Sequence, residues 1–176
     1  MDTAKSILFE PTKIKNMELR NRFIRSATYD GCADDGYFTN KQVDLYSTLS
    51  EGGVGLIITG ITYVHESGQI SKFQNSISSD EFIPRLKRLT YAVHDRGAKI
   101  AVQLFHAGRE GRFLKSSDTV PIAPSFIEGD PYFKAQYRAI TTGITRHGGW
   151  VVQVARGARS VILLIFAQNL IGLDLQ

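Results

Sequence analysis

The run Lys99 to Phe105 reads Lys-Ile-Ala-Val-Gln-Leu-Phe, a buried-strand pattern with one polar side chain, Gln103, at its middle. An amide in such a run needs partners, and it can both donate and accept, so Gln103 is a candidate for holding the edge of a ligand. His106 and Arg109 follow directly, a pair whose types suit a general base and an anion clamp. His65, His94 and His147 show no partner pattern, and solvated or packing roles are expected for them. Gly52-Gly53-Val54-Gly55 invites a phosphate-loop reading, but it precedes its strand, whereas a dinucleotide fingerprint must follow one. A helix stop and strand entry is the expectation there. Cys32 is the single cysteine, so no internal disulfide can form, and no Cys/His spacing resembles a zinc site.

These residues need elements to position them. Asn21 to Thr28 reads as a short strand leading into the turn-rich stretch Asp30 to Gly36. Thr39 is a plausible N-cap, and Val43, Leu45, Tyr46 and Leu49 form an apolar stripe up to Gly52-Gly53, which predicts a helix. Val54 to Ile61 is nearly all apolar without alternation, the pattern of a parallel strand covered on both faces. Ser79-Asp80-Glu81 offers a cap with acids in the first turn, and Phe82, Ile83, Leu86, Leu89 and Val93 predict a second helix up to Arg96-Gly97. Strand, helix, strand, helix, strand is the signature of βαβ units, in an open sheet or a closed barrel. The missing Gly-rich turn after the first strand favours the barrel.

Of the 176 residues 43% are hydrophobic and 22% charged, with a formal net charge of +4 spread along the chain. An ordinary globular domain fits these totals, and no block of like charges supports a nucleic-acid arm. The beginning of the sequence lacks a signal-peptide pattern, and the most apolar run, Val161 to Ala167, is too short to span a bilayer. No nucleic acid, no membrane and a cytoplasmic, reducing location are therefore expected.

Several linked segments resemble the Old Yellow Enzyme family of flavin-dependent barrels (NADH:flavin oxidoreductase / NADH oxidase). They are LFEPTKIKNMELRNRFIRSAT from Leu8 to Thr28, GGVGLIITG from Gly52 to Gly60, the stretch from Gly68 to Leu104, HAGR at His106 to Arg109, and IAPS at Ile122 to Ser125. The resemblance covers roughly residues 7 to 140, and its specificity lies in the order and spacing of the segments. It implies an α/β fold, a (β/α)8 TIM barrel of the flavin oxidoreductase type, here with about three to four βα units. It also implies FMN as cofactor, with Ser26, Ala27, Thr28 and Tyr29 lining the flavin at the end of the first strand. Gly60 and Ile61 would approach it from the second strand, and Gln103 would bond its pyrimidine edge. The family commonly has proline where Ala27 stands and threonine or cysteine where Tyr29 stands, so this chain departs at both positions. For His106 the resemblance implies a structural turn that shapes the wall below the flavin, in preference to catalysis.

The activity implied for the parent family is hydride transfer from NADH or NADPH through FMN to an enone or related electron-poor alkene. Beyond about residue 140 the resemblance ends. Residues 1–140 are expected to form the front of the barrel and 141–176 a divergent tail. The family's His-x-x-His or His-x-x-Asn pair, which anchors the substrate carbonyl, and its proton-donating tyrosine have no counterpart there; Gln168-Asn169 does not replace them. A shift of reading frame or a deletion in the parent gene is one expected origin of the tail. A complete barrel of this kind takes about 250 residues, and its phosphate grip is usually built after the seventh and eighth strands. The alternative expectation is therefore a non-catalytic remnant that holds FMN poorly. It would self-associate through an open sheet edge at the third strand, or at Val161 to Ala167 as an irregular fourth, giving a homo-oligomer.

Overall fold

The computed structural model describes residues 6–108 and the strand segments 122–123, 138–139, 144–147, 150–153 and 161–166. Strands β1 (Thr12–Ile14) and β2 (Met17–Leu19) form an antiparallel hairpin, and β3 (Ile24–Arg25) follows. Helix α1 (Asn40–Glu51) leads to β4 (Leu56–Tyr63) and the short β5 (Asn75–Ser76); α2 (Ile83–His94) leads to β6 (Lys99–His106). The remaining strands are β7 (Ile122–Ala123), β8 (Arg138–Ala139), β9 (Ile144–His147), β10 (Trp150–Gln153) and β11 (Val161–Phe166).

The main sheet has the order β11-β6-β4-β3, with β5 taking up the C-terminal end of β4 beyond β3. Strands β3, β4 and β6 are mutually parallel along this path. The expected fourth strand is different in kind: β11 lies antiparallel against β6, Val161 opposite His106 through Phe166 opposite Ala101. It therefore does not continue the βαβ series. It also covers the outer edge of β6, so of the two edges expected from the sequence the third strand is paired, and the irregular fourth, Val161–Phe166, is the terminal strand on that side among the described strands.

Both helices pack on one face of the sheet. Tyr46 of α1, Leu86, Leu89 and Val93 of α2, Ile57 of β4 and Ile100, Val102 and Leu104 of β6 share one buried cluster. Each fully buried aliphatic side chain of this kind contributes about 1.5–3 kcal/mol through removal of apolar surface from water. The opposite face carries the alternate residues: Leu56 and Ala101 meet Met17 and Leu19 of the hairpin, with Ile58 beside them. The hairpin thus fills the N-terminal end of that face and leaves the C-terminal end to other uses.

Three expectations are corrected here. The first strand pairs only at Ile24 and Arg25, shorter than Asn21 to Thr28, because the preceding side chains turn inward to the helix ends. Asn21 Nδ2 donates to the Gly53 carbonyl at 2.6 Å, and the Arg20 guanidinium donates to the carbonyls of Ser50, Val54 and Arg96. The buried stripe of α1 is Gln42, Tyr46 and Ser50, with Val43 and Leu49 at its flanks and Leu45 38% exposed. A buried glutamine, bonded to Asp30 and Asn75, thus stands in the stripe among the apolar positions. Gly53, at φ 92°, ends α1 as anticipated, in a region that favours glycine. Ser79 precedes a 3-10 turn, Asp80–Phe82, and its hydroxyl bonds Glu81 Oε1 at 2.8 Å in place of an N-cap bond.

Candidate functional site

The C-terminal ends of β3, β4 and β6 lie together, and most of the described sequence candidates fall there. Between Ile58 and Ile61 the pairing of β4 with β6 shifts register: Ile58 sits opposite Ala101, and Ile61 opposite Gln103. One extra residue in β4 bulges out, as Thr59 Oγ1 accepts the Gln103 backbone N–H at 3.2 Å. The bulge sets Ile61 beside Gln103. Gln103 alternates with Val102 and Leu104 of the helix-side cluster, so it shares the face of Ala101, opposite the helices. It is partly exposed. Its side-chain amide has no hydrogen-bond partner among the described residues.

Gly60 explains how the first strand's end reaches this place. A Cβ there would lie 3.0 Å from the Thr28 carbonyl oxygen and 3.3 Å from Tyr29 Cα. The Thr28–Tyr29 backbone crosses β4 so closely that any side chain here would press on it. Ser26 and Thr28 are exposed and Ala27 is half-buried; Thr28 Oγ1 donates to the Ser26 carbonyl at 3.1 Å. Tyr29, 47% exposed, does not hang free: its hydroxyl lies 2.6 Å from Ser71 Oγ in the loop after β4. The structure therefore brings Thr28, Tyr29 and Gly60 together, and Ile61 together with Gln103, at one end of the sheet.

Beyond these residues lies a group the sequence reading missed. The Gly108 N–H donates to His106 Nδ1 at 2.9 Å, so that nitrogen carries no proton and Nε2 must. His106 Nε2 then donates to Ser67 Oγ at 3.1 Å, and the Ser67 hydroxyl donates to His65 Nδ1 at 2.8 Å. His65 Nδ1 also accepts the Ser67 N–H at 3.2 Å, so both imidazoles are neutral in this arrangement. Burial first, and His65 second, push the His106 imidazole down to about 4. The two rings stack at 6.5 Å, and a Cβ at Gly68 would meet His106 Cδ2 at 2.6 Å. His65 thus has partners where none was expected; an i, i+2 His-Ser pair gives no signal until β6 delivers His106. Arg109, like Ser125 and Gln168-Asn169, lies outside the described residues. Among the described residues no group of three or more His, Cys, Asp or Glu is arranged for a metal ion, and no helix is long and apolar enough to cross a membrane.

The arrangement defines a class: a parallel sheet with helices on one face and candidate ligand groups at the C-terminal strand ends of the other, as in an α/β barrel. The family follows from comparison. The model of the NADH:flavin oxidoreductase / NADH oxidase family matches residues 7–146, and the chain belongs to that family. An NADPH dehydrogenase of Listeria monocytogenes serotype 4a (strain HCC23) is 39% identical over 125 residues, covering 70% of this chain and 37% of the relative. Among solved structures, morphinone reductase superposes with a TM-score of 0.67 at 25% identity, covering 77% of this chain and 40% of its own. The Old Yellow Enzyme from Pichia sp. AKU4542 gives 0.64 at 28% identity, covering 69% of this chain and 32% of its own. The fold is that of these TIM-barrel proteins, of which the chain spans well under half the length.

Proposed function

We propose that this chain supplies the flavin-facing strands of an FMN-dependent oxidoreductase that takes hydride from NAD(P)H and delivers it to an electron-poor alkene such as an enone. The observation that carries the reading is the Gln103 amide, which has no hydrogen-bond partner among the described residues, beside Ile61 on the face opposite the helices and at the end away from the hairpin. The residues present fit the group. An amide offers both a donor and an acceptor to a flavin's pyrimidine edge, and Gly60 leaves no Cβ between β4 and the crossing backbone of Thr28 and Tyr29. FMN, when bound, would supply the hydride-accepting and hydride-donating chemistry.

The chain's own groups would then orient and shield. Gln103 would fix one edge of the ring system, Ile61 would offer an apolar surface, and the Ser26 to Tyr29 segment would border the reactive edge. Tyr29, standing where the family has a smaller hydroxyl or thiol, is held by Ser71 and so has a defined hydroxyl position from which to act. Adding FMN to the purified chain tests the reading: quenching of flavin fluorescence and a perturbed visible band are expected, followed by bleaching with NADPH or NADH and reoxidation by 2-cyclohexenone. Gln103→Ala should weaken FMN binding by about tenfold, the value of one hydrogen bond to a buried polar edge. A chain that leaves the FMN spectrum unchanged at high protein concentration would refute it.

A second reading is favoured by a separate observation. Strand β3 pairs only with β4 among the described strands, and Ile24, Phe23 and Phe9 near that edge are exposed. Such an edge suits self-association, with or without flavin.

A further inference from the structure

We propose that Tyr46 of α1 is a positioning residue that fixes both ends of the Ser26–Tyr29 segment, so that a buried polar network behind the site sets where that segment meets a flavin. The inference rests on the flavin reading above for its purpose, but not for its geometry.

Of the four residues Ser26 to Tyr29, three (Ser26, Thr28 and Tyr29) are exposed; the Thr28 hydroxyl bonds within the segment, and the Tyr29 hydroxyl reaches only the loop residue Ser71. Their flanks are held differently. On one side the Arg25 guanidinium lies over the Tyr46 ring, 5.2 Å from its centroid, and donates to the Ile58 carbonyl at 3.1 Å. On the other side the Tyr46 hydroxyl donates to Asp30 Oδ2 at 2.9 Å. One fully buried side chain thus grips the residue before the segment with its ring and the residue after it with its hydroxyl. The same hydroxyl accepts a long hydrogen bond, 3.5 Å, from the Gly60 N–H in the β4 bulge, where Thr28 crosses.

Asp30 is held in turn. Its Oδ1 accepts from the Cys32 N–H at 3.1 Å and from Gln42 Nε2 at 2.9 Å. Gln42 also donates to Asn75 Oδ1 at 2.7 Å, and its Oε1 accepts from Asn75 Nδ2 at 3.2 Å and from the Thr39 N–H at 3.1 Å. Both amide hydrogens and the carbonyl oxygen of this buried glutamine are therefore used, which explains its place in the α1 stripe. Burial first, and the Asp30 charge second, push the Tyr46 hydroxyl well above the ordinary tyrosine range, so it remains a donor. Helix α1, β5, the β4 bulge and the loop after β3 all meet in this network. A fully satisfied buried network specifies one arrangement of its members, since any other leaves polar atoms unpaired.

The test uses the full chain as wild type, Tyr46→Phe and Asn75→Ala, with two readouts. The first is hydrogen exchange without flavin in the peptide covering residues 26–32, compared with α2 and β6. The second is the affinity for FMN and the position of its visible band. Tyr46→Phe keeps the ring under Arg25 and deletes the hydroxyl. It should raise exchange in residues 26–32 by about tenfold while α2 and β6 stay protected, weaken FMN binding by about fivefold and move the flavin band. Asn75→Ala, which loosens Gln42 and leaves the Tyr46–Asp30 bond, should change both readouts in the same direction by less, and decides the matter if Tyr46→Phe does not fold. Wild-type FMN affinity and band position in both variants, or exchange that rises equally in α2 and β6, would overturn the proposal. If the wild-type chain takes up no FMN, the flavin reading falls; a local exchange response would then still uphold the double grip, and its absence would remove that too.

Discussion

Gly60 and His106 show how two unremarkable-looking residue types constrain the strand ends. At Gly60 the neighbour of a new Cβ is the Thr28 carbonyl oxygen, 3.0 Å away, and backbone cannot swing aside as a side-chain tip can. Gly60→Ala is therefore expected to cost about 1–2 kcal/mol through overpacking and to displace the Thr28–Tyr29 crossing. A lower urea midpoint with unchanged slope would bear this out, and on the proposed flavin reading weaker FMN uptake would accompany it; an unchanged midpoint would mean that the crossing is slack. At His106 the folded imidazole titrates near 4 and the ordinary value is 6.5, so the unfolded chain binds more protons between those values. Its contribution is complete above about pH 6.5 and is lost as pH falls towards about 4, by at most about 3 kcal/mol. Urea melts across that range should steepen in pH dependence for the wild type relative to His106→Gln, and equal slopes would remove His106 from the account of acid sensitivity.

Arg20 acts between elements. Its guanidinium reaches the Ser50 and Val54 carbonyls at the end of α1 and the Arg96 carbonyl just after α2, so one side chain closes two helix-to-strand turns. The helix C-termini, with their orphan carbonyls and negative dipole ends, favour a cation there. Arg20→Ala should cost about 2 kcal/mol and lower the melting temperature by roughly 4–8 °C, whereas an exposed arginine would cost almost nothing. Thermal denaturation followed by circular dichroism decides between them. The contrast with what the sequence made legible is physical. Helices α1 and α2 and strands β4 and β6 announce themselves by period and by continuous apolar runs, and Gln103 stands out as the polar break in one of them. Arg20, the Gln42–Asn75 pair and the His65–Ser67–His106 chain join residues 30 to 76 positions apart or across loops, and nothing local marks them. The β1–β2 hairpin escaped for another reason: its turn uses Lys15, at φ 50°, without the Asn-Gly or Asp-Gly signal. The direction of β11 likewise cannot be read from an apolar run, which is the same for either orientation.

Over the whole molecule, the sheet has one face under helices, a hairpin on the lower half of the other, and the candidate residues on the upper half. Its two ends differ. The β6 side is extended by β11, whereas at the β3 side the described strands stop after two paired residues, with Ile24 46%, Phe23 38% and Phe9 68% exposed. Phe9 and Phe23 pack edge to face at 5.1 Å, so the apolar side chains form a patch with a fixed shape rather than scattered singly. A strand edge with no partner among the described strands, beside such a patch, offers both main-chain pairing and apolar burial to a second copy. Sedimentation of the 176-residue chain should show a concentration-dependent shift to a larger species. Ile24→Lys, which places a charge on an already exposed position, should restore the monomer without lowering the melting temperature by more than about 2 °C. A chain that remains monomeric at high concentration, or a variant that associates as strongly as wild type, would locate any assembly elsewhere and leave β3 as an edge that its short length alone protects.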